Sequence, residues 1–157
     1  YNDEAVKGLM KQLAKDGSYT VPADMYQPIQ EIFEAGCCDD VRTKQTIRKL
    51  FEQENYLCDT HTAVAVAVYE DYRARTGDTT PTVIASTASP YKFCQSVITA
   101  LGGTVTSDGV KLLDQLHEMT GVDIPKPLAA LKGKKPRFDL VIDKEEILNS
   151  TDLLSKI

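Results

Sequence analysis

The sequence predicts an α/β protein that is predominantly helical with a few short strands. Apolar residues recur at spacings of three and four over most of the 157 positions, which is typical of amphipathic helices. A β-branched run, Thr82–Ala85, is the clearest strand. It is followed by a hydroxyl-rich turn and then by a helix. This order is found in α/β proteins, where ligands bind beside the carboxyl ends of strands.

The first part of the chain is predicted to be helical. Asp16-Gly17 is a helix-ending signal, and an extended connector follows it. A second apolar face is formed by Ile29, Ile32 and Phe33. The expected helices run from about Asp3 to Ala14, from about Ala23 to Gly36, and from a cap at Asp39 or Asp40 through Phe51.

A fourth helix is predicted after residue 59. Valines alternate with alanines between Ala63 and Tyr69, which by itself resembles a strand. Capping residues before this run and Gly77 after it favour a buried helix instead. Tyr56–Cys58 is either a brief strand or the entry to this helix.

The remaining elements follow from caps and turn residues. Ser89 is placed to cap a helix that has Pro90 at its first position. The other expected elements are a helix from Ser89 to Leu101, a helix from Val110 to Met119 ended by Gly121, a strand at Phe138–Ile142, and a closing helix capped by Asp143 with Ile147 and Leu148.

Composition and charge exclude several classes of protein. The net charge of −5 argues against nucleic-acid binding, which requires a dense basic surface. A basic cluster at Lys132, Lys134, Lys135 and Arg137 is interpreted as a solvated loop, with a phosphate-facing role as the alternative. No apolar run reaches the roughly 18 residues that a membrane helix requires. The four cysteines are expected as free thiols, which together with the absence of a signal pattern predicts a cytoplasmic location.

Two polar clusters are candidates for chemistry. His61 lies within Asp59-Thr60-His61-Thr62 and is either a site histidine held by Asp59 or part of a helix-capping arrangement. Cys58 and His61 have a spacing that zinc can use, but no convincing second pair exists, so no metal site is predicted. His117 is expected on an exposed helix surface.

The second cluster follows the predicted strand. Ser86, Thr87 and Ser89 either donate hydrogen bonds to a ligand or only cap the next helix. The sequence contains no Gly-x-Ser-x-Gly, Gly-x-Gly-x-x-Gly or phosphate-loop motif.

Both clusters resemble motifs of the threonine synthase family. Tyr56–Ala65 is similar to a stretch that this family writes as Asp-Pro-His-Thr-Ala-Val, with Thr60 in place of proline. Ser86–Phe93 is similar to the family's Thr-Ala-His/Ser-Pro-x-Lys-Phe. Flanking residues also resemble the family: Leu9-Met10, Leu13, Gly17-x-Tyr19 and Pro125-x-Pro127-Leu128.

The resemblance implies a tryptophan-synthase-β-like architecture (fold type II) and pyridoxal 5′-phosphate as cofactor. The family converts O-phospho-L-homoserine and water into L-threonine and phosphate. Its lysine that forms a Schiff base with the cofactor, and its phosphate-binding loop, have no match here. Residues 1–157, which begin with Tyr1, are therefore expected to be the C-terminal portion of such an enzyme. Alone they are expected to be inactive, with no catalytic residue.

The resemblance also implies roles for individual residues. Thr87 matches the hydroxyl residue that hydrogen-bonds the pyridine nitrogen of the cofactor, and Ser86 is the alternative if the register differs by one. Asp59, His61 and Thr62 would line or brace the site. Lys92 is a candidate either for the substrate phosphate or for an internal ion pair.

Three hypotheses follow. The chain is part of a threonine synthase, part of another fold-type-II lyase such as a dehydratase, or a free-standing helical binding module. If it is a part, surface normally covered by the remaining polypeptide would be exposed and would favour self-association.

Overall fold

The computed structural model describes residues 2–135, 137 and 141–145, and these residues form helices and irregular segments. Among the described residues there is no strand, and no helix is both long and apolar enough to cross a membrane. The elements are α1 (Asp3–Asp16), α2 (Ala23–Gln30), α3 (Asp40–Glu54), α4 (Thr60–Thr76), a 3₁₀ helix (Pro90–Lys92), α5 (Cys94–Ala100), α6 (Lys111–Thr120) and α7 (Lys126–Ala129).

The strand predicted at Thr82–Ala85 is wrong. These residues are irregular, and Val83 is 95% exposed. A strand requires a neighbouring strand to accept and donate its backbone hydrogen bonds, and the described residues provide none. Tyr56–Cys58 is likewise irregular and leads into α4. Of the strand predicted at 138–142, residues 138–140 lie outside the described residues, as does most of the predicted closing helix.

The core is formed by α3, α4, α5 and α6. Helix α3 packs against both α4 and α5, and α5 packs against α6. Alanines on the buried face of α4, Ala63 and Ala67, allow close approach to α3. Arg42 of α3 donates to both carboxylate oxygens of Asp71 in α4, at 2.5 and 2.7 Å. Capping and these contacts therefore make residues 60–76 a helix, as predicted, in spite of the alternating valines.

The helix predicted from Ser89 is divided in two. Ser89 caps a 3₁₀ turn in which Tyr91 is buried, and α5 begins only at Cys94. The Tyr91 hydroxyl donates a hydrogen bond to the Val122 carbonyl, and His117 Nδ1 lies 2.7 Å from the same oxygen. His117 is therefore half-buried and contacts the loop after α6. Its predicted location on the exposed surface is wrong.

The first two helices form an arm outside the core. We call residues 3–33 the N-terminal arm, and neither α1 nor α2 within it has a buried residue. α2 ends at Gln30 and not at Gly36, since a short helix without packing has only its own hydrogen bonds to extend it. Ile32 and Phe33 follow it and are 77% and 68% exposed. The arm thus presents apolar side chains that no described residue covers.

Candidate functional site

The candidate site lies at the start of α4, where two hydroxyl-bearing segments meet. Asp59 is the N-cap of this helix and has no exposed surface. Its Oδ1 accepts hydrogen bonds from the backbone N–H groups of His61 at 2.8 Å and Thr62 at 3.4 Å. Its Oδ2 accepts a hydrogen bond from the Thr62 hydroxyl. One carboxylate thus satisfies two free N–H groups at the helix start and a buried side chain.

Opposing effects set the pKa of Asp59. Burial alone would raise this pKa, because a carboxylate loses hydration when it leaves water. Hydrogen bonds from Thr62 and His61 favour the ionised form and hold the pKa below its ordinary value. The site therefore contains a buried negative charge at neutral pH.

We expect acid to destabilise the chain partly through Asp59. The pKa is about 3.9 in an unfolded chain and lower in the folded one, so the carboxylate stabilises the fold above about pH 4. This stabilisation is lost as the pH falls through the folded pKa. Urea unfolding between about pH 5 and pH 2 should show a weaker pH dependence for Asp59→Asn than for the wild type.

The control for this measurement is Asp108→Asn, which changes an exposed carboxylate and should retain the wild-type pH dependence. Parallel plots of the free energy of unfolding for wild type and Asp59→Asn would contradict the assignment.

Thr62 connects Asp59 to the hydroxyl-rich turn. Its Oγ1 lies 3.1 Å from Ser86 Oγ. A threonine hydroxyl has one hydrogen, and Thr62 donates it to Asp59, so the Ser86 hydroxyl is left as the donor to Thr62. Thr87 is exposed, and its side chain has no hydrogen-bond partner in the part of the chain that the structure describes. Ser86 thus faces α4, whereas Thr87 is open to a ligand.

His61 is both a neighbour of the cap and a surface group. Its Nδ1 lies 3.1 Å from Asp59 Oδ1, and its ring centroid lies 5.0 Å from that of Phe93. The side chain nevertheless remains 66% exposed. The two interpretations of the sequence are therefore compatible, because Asp59 provides the cap while the imidazole remains accessible.

An open cleft of about 490 Å³ lies beside His61. It is lined by Cys38, Asp40, Thr43, Lys44, Thr60, His61, Val64 and Ser96. Two of these lining residues, Lys44 and Ser96, were not predicted from the sequence. No local signal marks them, since each lies alone on a helix and only the packing of α3 and α5 brings them to one cleft.

Lys92 is exposed at the end of the 3₁₀ helix. The buried Tyr91 precedes it, and Tyr91 N–H donates to Ser89 Oγ at 3.3 Å. Within the described residues Lys92 has no ion pair, so its predicted internal partner is not found there. It does not line the cleft beside His61.

The surroundings of Cys58 disfavour the thiolate form that binds metal ions. Cys58 is buried, and burial together with the charge of Asp59 raises its pKa to about 11. Zinc binds the thiolate form, which this environment disfavours. No group of three or more His, Cys, Asp or Glu residues is arranged to hold a metal ion in residues 2–135, 137 and 141–145.

Comparisons with known proteins bear on this site. The family described as "Threonine synthase, C-terminal" matches residues 62–150. Threonine synthase of Saccharomyces cerevisiae is 30% identical over 154 residues, which cover 95% of this chain and 28% of the relative. Threonine synthase of Schizosaccharomyces pombe is 31% identical over 99 residues, which cover 62% of this chain and 19% of the relative.

A solved structure also matches. The crystal structure of threonine synthase from Brucella melitensis with bound pyridoxal phosphate superposes with a TM-score of 0.58 and 32% identity. The match covers 73% of this chain and 24% of that one. The matches to this chain therefore span 19% to 28% of the length of these relatives.

Proposed function

Because this chain belongs to the threonine synthase family, we propose that it forms the C-terminal part of a pyridoxal-phosphate-dependent threonine synthase. The proposed enzyme converts O-phospho-L-homoserine and water into L-threonine and phosphate. The observation that carries this proposal is the family match over residues 62–150, which includes the whole of the second motif, Ser86–Phe93, and the last four residues of the first, Tyr56–Ala65. It favours a threonine synthase over a dehydratase of the same fold type or a helical binding module.

The residues at the hydroxyl-rich turn fit the ring nitrogen of this cofactor. Thr87 offers an exposed hydroxyl that is not committed to any described neighbour, whereas Ser86 is committed to Thr62. A hydroxyl donates a hydrogen bond to a pyridine nitrogen without adding charge, so the ring remains close to neutral. When bound, the cofactor supplies the electron sink that the reaction requires. We therefore assign the ring-nitrogen contact to Thr87.

Lys92 is assigned to the substrate phosphate. Its ammonium group is exposed and has no carboxylate partner within the described residues, unlike Lys49, which pairs with Glu70 at 2.7 Å. An unpaired cation close to a ligand-facing turn is suited to an anionic substrate group. His61, Asp59 and Thr62 brace the same site from the start of α4.

The N-terminal arm is assigned to the contact with the rest of the enzyme. The match to the Saccharomyces cerevisiae threonine synthase covers 95% of this chain and so extends over the N-terminal arm. More than two thirds of that relative lies outside the match. Ile32 and Phe33 are apolar, adjacent in the sequence and exposed, and exposed apolar patches mark sites of contact with other polypeptide. The proposed occupant is the N-terminal portion of the same polypeptide, which also contains the lysine that binds the cofactor.

Phosphate release tests the proposal. The full-length polypeptide containing this segment is expected to release phosphate from O-phospho-L-homoserine when supplied with pyridoxal phosphate. The 157-residue chain alone should release none and should give no lysine adduct of the cofactor after borohydride reduction. Phosphate release by the chain alone, or a reduced adduct on one of its lysines, would overturn the assignment. So would a full-length protein that is inert towards this substrate.

A further inference from the structure

We propose that Asp59 is a positioning residue that acts through Thr62 and Ser86 to fix the location of Thr87. The inference rests on the proposed role of Thr87 and goes further, since it identifies what holds that hydroxyl in place. Three groups are linked by hydrogen bonds: the buried carboxylate of Asp59, the buried hydroxyl of Thr62 and the exposed hydroxyl of Ser86.

The turn that carries Thr87 has few other restraints. Residues 81–88 are irregular and mostly exposed, although Ile84 and Ala88 are half-buried. The described residues show one hydrogen bond between this segment and the helices, and it joins Ser86 to Thr62. The location of Thr87 therefore depends strongly on its neighbour Ser86.

The buried charge makes this contact directional. Asp59 Oδ2 receives the Thr62 hydrogen, so Thr62 Oγ1 presents only lone pairs to Ser86. A hydrogen bond from a hydroxyl to a carboxylate also polarises that hydroxyl and strengthens its oxygen as an acceptor. Ser86 is thereby held with its hydrogen towards α4.

Asp39 provides a natural comparison within the same chain. It caps α3 with nearly the same backbone geometry as Asp59, φ −78° and ψ 170° against φ −81° and ψ 170°. Its side chain accepts a hydrogen bond from Arg42 N–H at 2.7 Å. Among the described residues no hydroxyl donates to the Asp39 carboxylate, so replacing Asp39 alters a helix cap without affecting a hydroxyl chain of this kind.

The test measures backbone ¹⁵N order parameters of the 157-residue chain. Ser86→Ala and Thr62→Val should each lower the order parameters of Ile84 and Thr87 towards the flexible range below about 0.6, with α4 unchanged. The double variant should show no further loss, and Thr62→Ser should restore the wild-type values. Asp59→Asn should loosen the same residues, whereas Asp39→Asn should leave them unchanged.

The outcomes separate this inference from the proposed function. Unchanged order parameters of Ile84 and Thr87 in Ser86→Ala and Thr62→Val would overturn the positioning role. Ser86→Ala keeps this test decisive even if Asp59→Asn does not fold, because Ser86 is exposed. A third outcome is also informative: the variants could loosen the turn while the full-length enzyme with Thr87→Ala keeps normal turnover. That result would support the positioning of the turn by Asp59 but would exclude Thr87 from the cofactor site.

Discussion

Replacing Thr87 with alanine in the proposed full-length enzyme is expected to lower kcat by about 10- to 100-fold. The variant loses the proposed hydrogen bond to the ring nitrogen, and such a bond to a group whose charge changes contributes about 1.5–3 kcal/mol. Each 1.36 kcal/mol of transition-state stabilisation corresponds to about tenfold in rate. Cofactor binding to the lysine should persist, because Thr87 is not its attachment point. Steady-state phosphate release, with absorbance spectra of the bound cofactor, measures both.

Two further variants sharpen this result. Thr87→Ser retains a hydroxyl and should keep most of the activity, which separates the hydrogen bond from the shape of the side chain. Lys92→Ala, at the proposed phosphate contact, should mainly raise KM. Wild-type kcat in Thr87→Ala would exclude Thr87 from the site, and an unchanged KM in Lys92→Ala would exclude Lys92 from the substrate contact.

Replacing Phe33 with aspartate is expected to affect the full-length enzyme and the isolated chain very differently. In the isolated chain Phe33 is 68% exposed, so the free energy of unfolding should change by no more than about 0.5 kcal/mol. In the full-length enzyme the arm is proposed to be covered. Loss of that apolar contact and burial of a carboxylate should there cost about 3 kcal/mol or more. Urea unfolding of both proteins makes the comparison.

The control for this prediction is Gln27→Glu, which adds the same charge to α2 at an exposed polar position. It should leave both proteins nearly unchanged. The proposed occupant of the arm would be wrong if Phe33→Asp left the full-length enzyme unaffected. Light scattering of the isolated chain adds a second outcome. If the isolated chain is a dimer, and Phe33→Asp dissociates this dimer without affecting the full-length enzyme, then the N-terminal arm contacts a second copy of the chain.

The sequence predicted the helices well because the signals that begin and end helices are local. Asp39 and Asp59 were both identified as candidate caps, and both accept backbone hydrogen bonds from the first turn of a helix. Gly17, Gly77 and Gly121 end helices in the left-handed conformation that glycine adopts at little cost. Each of these features depends on residues within a few positions, so a single sequence contains it.

The strand at Thr82–Ala85 could not be decided in this way. A β-branched composition favours an extended chain, but a strand exists only when a second segment pairs with it. No described residue does so, and Val83 is almost fully exposed. The lengths of the related threonine synthases leave ample polypeptide outside this chain to contribute such a segment.

The sequence identified candidate residues for the site but not the contacts among them. The resemblance placed Asp59, Thr62, Ser86 and Thr87 together but left their contacts open. The structure shows that Ser86 turns towards Thr62 and that Thr87 remains exposed, a difference between adjacent hydroxyl residues that composition does not encode. It also adds Lys44 and Ser96 to a cleft beside His61, which no spacing in the sequence marks.

By itself the sequence determined most of the helical segments, several of their caps, and which two motifs resemble the threonine synthases. These properties arise from the preferences of neighbouring residues and from the order of side chains along the chain. Only the tertiary structure decided that Asp59 is buried, that hydrogen bonds link it through Thr62 to Ser86, and that α1 and α2 have no buried residue. Burial and hydrogen-bond direction depend on which distant segments meet, because desolvation and packing are set by surroundings in space and not by position in the chain.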